Sequence, residues 1–318
     1  MLTYFLFAIG FVILIKGADW LVDGSSSLAK KFKIPVIVIG LTIVAFGTSA
    51  PELVVNLFAS AQGQTEIAIG NVLGSNIANI LLILGISAII FPLSVKKNTT
   101  WKEIPLSLLA ALVVGILAND MLIDGNENSA ISRADGLILI SFFIIFLAYI
   151  IGIAKEGFFE RKMEVKEFKT SRSVIYILLG LIGLALGGKW IVDGAVEIAT
   201  AFGVSQSLIG LTIIAIGTSL PELATSAVAA WKKNPDIAVG NVVGSNIFNL
   251  FWVLGVSSII RPLPFRPEMT LDVAMVILAS LALFAFIFIG KKQFLERWQG
   301  VFFVLTFIAY IIFLVIRG

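Results

Sequence analysis

Shifted by 170 residues, the chain lies on itself. Residues 39–52 (IGLTIVAFGTSAPE) match residues 209–222 (IGLTIIAIGTSLPE) at 11 of 14 positions, and residues 70–79 (GNVLGSNIAN) match residues 240–249 (GNVVGSNIFN) at 8 of 10. Trp20, Asp23, Gly24 and Pro92 fall on Trp190, Asp193, Gly194 and Pro262 at the same offset. What this duplication can fold into depends on how often each copy crosses a membrane. Apolar runs near the ~20 residues that a helix needs to span a bilayer lie at residues 2–21, 34–59, 67–90, 104–117, 134–154, 174–191, 204–231, 237–260, 271–289 and 298–316. Each copy therefore holds five spans, and an odd number makes the copies enter the membrane from opposite sides. The sequence predicts an all-α polytopic membrane protein, ten transmembrane helices in two inverted five-helix repeats, the design of secondary transporters. The repeats are residues 1–154 and 174–318, joined by a polar linker at 155–173.

Composition agrees with this reading and removes several kinds of chemistry. Of 318 residues, 58% are hydrophobic and 14% charged, against roughly a quarter charged in soluble domains. The absence of cysteine and histidine excludes disulfides, thiol nucleophiles, Cys or His zinc sites and Ser-His triads. No enzyme and no cofactor is expected. The 23 Lys and Arg sit mostly in short loops and form no basic face with interleaved aromatics, so nucleic acid is not an expected partner; the lipid bilayer is, and no protein partner is implied. With the N-terminus outside, the inner loops carry 17 of these cations and the outer ones 4. By the positive-inside rule both termini are outside the cell membrane and the 155–173 loop is cytoplasmic. The first run lacks a basic leader and a small-residue cleavage site, which reads as a retained span.

Two residues do not belong in such spans unless they have a task. Glu52 and Glu222 lie inside apolar runs, where an ionised group costs at least ~2.5 kcal/mol. No Lys or Arg lies in the second, third, seventh or eighth span to pair with them, so the missing positive charge points to a bound cation. Pro51 and Pro221 crowd the carbonyl four residues earlier, which predicts helix breaks near residues 45–47 and 215–217 and releases backbone oxygens there. Thr48, Ser49 and Glu52, and their mates Thr218, Ser219 and Glu222, then converge on one side of a restarted helix. Ser75 and Asn79, with Ser245 and Asn249, add a second oxygen stripe. Every donor in the set is a hard oxygen, which suits Ca²⁺ or Na⁺ and not a transition metal.

Each motif also has a plainer use. Ser49 to Glu52 and Ser219 to Glu222 have the spacing of a capping box, although capping alone leaves two symmetric carboxylates unexplained. Gly70-x-x-x-Gly74 and Gly240-x-x-x-Gly244 suit close helix packing. Asp23 and Asp193 read as polar anchors at helix ends. Asp120, Asp124 and Glu127 miss EF-hand spacing and read as a solvated loop.

With GTSAPE, GTSLPE and the two GNVxGSNIxN segments in place, the sequence resembles the sodium/calcium exchangers of the cation/calcium antiporter superfamily, prokaryotic type, over nearly its whole length. The resemblance implies antiport of Na⁺ against Ca²⁺ by alternating access. Its ion cluster would draw on Glu52, Thr48, Ser49, Ser75, Asn79 and the Ala45 carbonyl in one repeat, and on Glu222, Thr218, Ser219, Ser245, Asn249 and the Ala215 carbonyl in the other. The first and sixth helices would slide past this core. Some relatives carry Asp where this chain has Asn79 or Asn249. Those neutral amides favour K⁺-independent exchange, and the implied stoichiometry of three Na⁺ per Ca²⁺ makes it electrogenic. A proton/calcium exchanger of the same fold is the alternative, although its usual acidic motif is absent; a passive cation channel is a further one.

Overall fold

The structure is a computed structural model describing residues 2–125, 128–156, 166–202 and 215–317. Twelve helices carry the fold: α1 (Leu2–Phe32), α2 (Val36–Thr48), α3 (Ala50–Gln62), α4 (Thr65–Ile90), α5 (Thr99–Leu117), α6 (Arg133–Glu156), α7 (Thr170–Ala201), α8 (Ala215–Thr218), α9 (Leu220–Trp231), α10 (Pro235–Ile260), α11 (Met269–Phe286) and α12 (Arg297–Arg317). Eight of the described helices are long and apolar enough to cross a membrane by themselves, and the bent pair α2 and α3 makes a ninth span. The tenth expected span, at 204–231, is described only as α8 and α9; its residues 204–214 lie outside the described residues.

The expected break in the second span is present but displaced. Val36–Thr48 and Ala50–Gln62 meet at an angle of 46°, and the residue between them, Ser49, has φ −83° and ψ 7°. Pro51 sits in the first turn of α3, where a missing N–H costs nothing. The interruption therefore falls directly before the proline's helix and not at the carbonyl it crowds. A feature the sequence did not announce is a π-helical turn at Gly40–Val44, with others at Ala78–Leu84 and Phe248–Val253. These widened turns lie beside the predicted site residues, a common position for π-bulges.

Two short ribbons fasten the loops. Strand β1 (Leu93–Ser94) pairs with β4 (Phe294–Leu295), and β2 (Ser129–Ile131) pairs with β3 (Leu263–Phe265). β1 and β3 are related by the 170-residue shift, so the ribbons repeat the duplication on opposite faces. In the interior, α4 and α10 are the most buried spans, and Asn241, Ser245, Asn246 and Asn249 of α10 are at most 1% exposed. At the edge, α1 and α7 lie backbone to backbone through glycine. A Cβ at Gly17 would stand 2.8 Å from the Leu184 nitrogen, and one at Gly187 would stand 2.7 Å from that of Leu14. This is the small-residue contact that lets membrane helices approach closely.

Candidate functional site

Glu52 and Glu222 begin the helices that restart after each break, and each is 1% exposed. The capping-box expectation fails at Ser49, whose side chain makes no cap hydrogen bond to its own helix. Ser49 instead reaches across to the other repeat. Its hydroxyl donates to Glu222 Oε1 at 2.7 Å and lies 2.9 Å from the Ser245 hydroxyl. Ser219 does the converse, donating to Glu52 Oε1 at 3.4 Å and standing 3.3 Å from the Ser75 hydroxyl. Ser75 itself lies 3.5 Å from Glu52 Oε1. Each carboxyl group is thus met by the serine of the opposite repeat, and the cluster exists only where the two copies meet.

Thr48, Thr218 and the Ala45 carbonyl join the same cluster, whereas no hydrogen bond among the described residues ties Asn79 or Asn249 to the glutamates. The Thr48 hydroxyl donates to Asn241 Oδ1 at 3.0 Å, and Thr218 lies 3.4 Å from Asn71 Oδ1. Asn79 donates through Nδ2 to Asn246 Oδ1 at 2.9 Å, linking the central helices α4 and α10. The Ala45 carbonyl accepts the Ser49 N–H at 3.0 Å, lies 3.2 Å from the Thr48 hydroxyl and 3.4 Å from that of Ser245. The second break is tighter: the Ser219 N–H turns to the Ile216 carbonyl at 3.1 Å.

Sequence reasoning missed the amides that frame the glutamates. Asn71 donates to Asn56 Oδ1 at 2.6 Å and to the Glu52 carbonyl at 3.4 Å; its mate Asn241 donates to the Ser226 hydroxyl at 2.9 Å and to the Glu222 carbonyl at 3.3 Å. The signals were available. Asn56 and Ser226 follow the two glutamates at i+4 on the same helix face, and Asn71 and Asn241 occupy equivalent places in the repeated Gly-Asn pair.

Glu52 Oε2 and Glu222 Oε2 are buried without a protein partner, and so, on α4 and α10, are Asn79 Oδ1 and both side-chain polar atoms of Asn249. An unanswered buried acceptor costs about 1–3 kcal/mol, more when charged. Two carboxyl groups, several hydroxyls and amide oxygens, with no cationic side chain on α2, α3, α4, α9 or α10, form a donor set that a hard cation completes. Among the described residues there is no grouping of three acidic side chains, so the neutral oxygens are integral to the site.

The glycine pair of α10 packs closely on α2. A Cβ at Gly240 would stand 3.1 Å from the Gly40 Cα, and one at Gly244 would stand 2.6 Å from the Leu41 carbonyl oxygen, as the packing expectation requires. At Gly70 and Gly74 it would meet nothing among the described residues.

Comparison with known proteins matches this arrangement. The profile of the family described as sodium/calcium exchanger protein covers residues 2–152 and 172–316. The inner membrane protein YrbG of Escherichia coli is 39% identical over 273 residues, spanning 82% of this chain and 81% of its own. The sodium/calcium exchanger MaX1 of Methanosarcina acetivorans is 29% identical over 354 residues, with 98% of each chain covered. A solved structure of the sodium-calcium exchanger NCX_Mj, soaked with Na⁺ and Sr²⁺, superposes with a TM-score of 0.84 at 36% identity over 98% of both chains. With the duplication, the bent spans and the buried oxygen cluster, these matches establish that the chain belongs to the sodium/calcium exchanger protein family.

Proposed function

We propose that the chain is a secondary antiporter moving Ca²⁺ against Na⁺ through the cluster between the repeats, electrogenically and without K⁺. One observation carries the reading: Glu52 and Glu222 are buried, held by the opposite repeat's serines, and each leaves one oxygen without a protein partner. Two carboxylates balance one Ca²⁺ in charge. Thr48, Ser49, Ser75, Asn79 and the Ala45 carbonyl, with Thr218, Ser219, Ser245, Asn249 and the Ala215 carbonyl, supply neutral oxygens for Na⁺ or for the rest of the Ca²⁺ shell. With the cluster held together by both copies, sliding of the first and sixth helices past it changes which face reaches it, as alternating access requires. In this reading residues 1–154 and 174–318 are the two repeats, the 155–173 linker is cytoplasmic, and both termini lie outside.

Radioactive calcium uptake into liposomes containing the purified chain tests the coupling. An outward Na⁺ gradient should drive uptake and a pH gradient without Na⁺ should not. Uptake driven by the pH gradient alone would make the chain a proton/calcium exchanger, and flux with no counter-ion would make it a channel.

A further inference from the structure

The two central helices carry a polar pairing in which the repeats do not match. Asn76 and Asn79 on α4 are equivalent by the 170-residue shift to Asn246 and Asn249 on α10, and all four are at most 1% exposed. Across the interface Asn79 Nδ2 donates to Asn246 Oδ1 at 2.9 Å. The symmetry mate of that bond would run from Asn249 Nδ2 to Asn76 Oδ1. It is not made, yet both of its atoms are buried and neither has another partner. One half of a reciprocal pair is closed and the other half open.

A buried donor and a buried acceptor left unpaired are each costly, so the open half needs a reason. The surrounding sequence is nearly the same in both copies: residues 74–79 (GSNIAN) and 244–249 (GSNIFN) differ only at Ala78 and Phe248. The backbone differs at the same place. Asn79 lies in a π-helical turn of seven residues, Ala78–Leu84, and Asn249 in one of six, Phe248–Val253; such turns are frequent at functional sites. Asn76 turns its Nδ2 back to the Val72 carbonyl at 2.7 Å, which leaves Oδ1 as its free end. In a transporter built from inverted repeats, each copy takes in one access state the conformation that its mate takes in the other. For these amides that exchange closes Asn249 onto Asn76 and releases Asn79 from Asn246. The outcome is the same whichever face is open here.

We propose that Asn76 and Asn246 are positioning residues, each holding an amide of the other repeat in one access state: Asn246 holds Asn79 in the state seen here, and Asn76 holds Asn249 in the opposite one. The inference rests on the antiporter reading, in which the cluster is reached alternately from each face. An asparagine whose Nδ2 is engaged keeps Oδ1 as its free end, and Asn79 Oδ1 is unpartnered here. Asn249 has both polar atoms free, so no hydrogen bond orients it. The oriented amide oxygen therefore passes from one repeat to the other as access changes. Each state depends on one of the two bonds, and removing one acceptor weakens one state only.

Leucine is close to asparagine in shape and has no acceptor, so Asn246→Leu weakens the state seen here and Asn76→Leu the opposite one. The readout is the calcium KM at each face, measured in right-side-out and inside-out vesicles with whichever counter-ion drives the parent chain. Affinity at a face scales with the fraction of molecules open to it. We expect the ratio of the two KM values to move by about threefold or more in one direction for Asn246→Leu, and as far in the other for Asn76→Leu, as the loss of one hydrogen bond implies. The double variant should return toward the parent ratio. If a leucine variant fails to insert, Asn246→Ala and Asn76→Ala remove the same acceptors and decide the matter. A shift with Asn246→Leu alone would make the Asn79 bond a fixed brace and overturn the exchange, as would shifts in the same direction or none in either variant. Failure of Na⁺ to drive uptake by the parent chain would strike the antiporter reading instead, a result separate from the ratio.

Discussion

At the scale of single residues, the crossing of serine to glutamate sets the expectations. Ser49 holds Glu222 at 2.7 Å, whereas Ser219 holds Glu52 at 3.4 Å. Hydrogen bonds to charged groups contribute about 1.5–3 kcal/mol, so Ser49→Ala should raise the calcium KM roughly tenfold and Ser219→Ala by less, as measured by initial uptake rates in liposomes. Equal effects would mean that the two bonds have equal weight during transport. Asn79 and Asn249 add oxygen without charge, and uptake should accordingly be unchanged when choline replaces K⁺ at a clamped potential; a requirement for K⁺ would contradict the neutral-amide argument. The glutamates were legible in the sequence because a charge inside an apolar run demands an explanation. The serines beside them were legible too, but not that each would serve the glutamate of the other repeat. A serine three residues before a glutamate reads as a local cap, and nothing in a linear sequence says that the hydroxyl will turn to the other repeat instead.

At the scale of elements, the sequence showed nine spans through their apolar length and the bend between α2 and α3 through Pro51, while residues 204–214 of the tenth expected span lie outside the described residues. It misplaced the first bend by a few residues because the proline tolerates the start of a helix better than its middle. The π-turns were invisible, since no residue type or spacing in the sequence marks them. The contact of α1 with α7 gives a prediction at this scale. A Cβ at Gly17 would already stand 2.8 Å from the Leu184 nitrogen and 2.9 Å from the Gly180 carbonyl oxygen, so Gly17→Val forces the helices apart. Overpacking of this kind costs about 1–3 kcal/mol, which should appear as a lowered melting temperature in detergent. Gly152→Val, where a Cβ would meet nothing within 4 Å, should leave the melting temperature unchanged. Similar shifts for both would remove the packing explanation.

At the scale of the whole molecule, orientation and coupling follow from charge. In the proposed orientation Lys97 faces the cytoplasm and Glu268 the outside. Both side chains are exposed, so in intact cells a cysteine at Glu268 should react with an impermeant thiol reagent while one at Lys97 stays protected; the reverse pattern would invert the topology. Three Na⁺ for one Ca²⁺ moves one charge per cycle, which the membrane potential weights at ~2.3 kcal/mol per 100 mV. Altering the potential should therefore shift uptake, and indifference to voltage would rule out that stoichiometry. The central claim is that the two copies share one cation cluster whose only anionic groups are Glu52 and Glu222. The most direct test is sodium-driven calcium uptake by Glu52→Gln and Glu222→Gln, each inserted and purified like the parent chain. The account predicts that either substitution alone abolishes uptake, because half of the compensating charge is gone from a buried site. Near-normal uptake by either variant would contradict it.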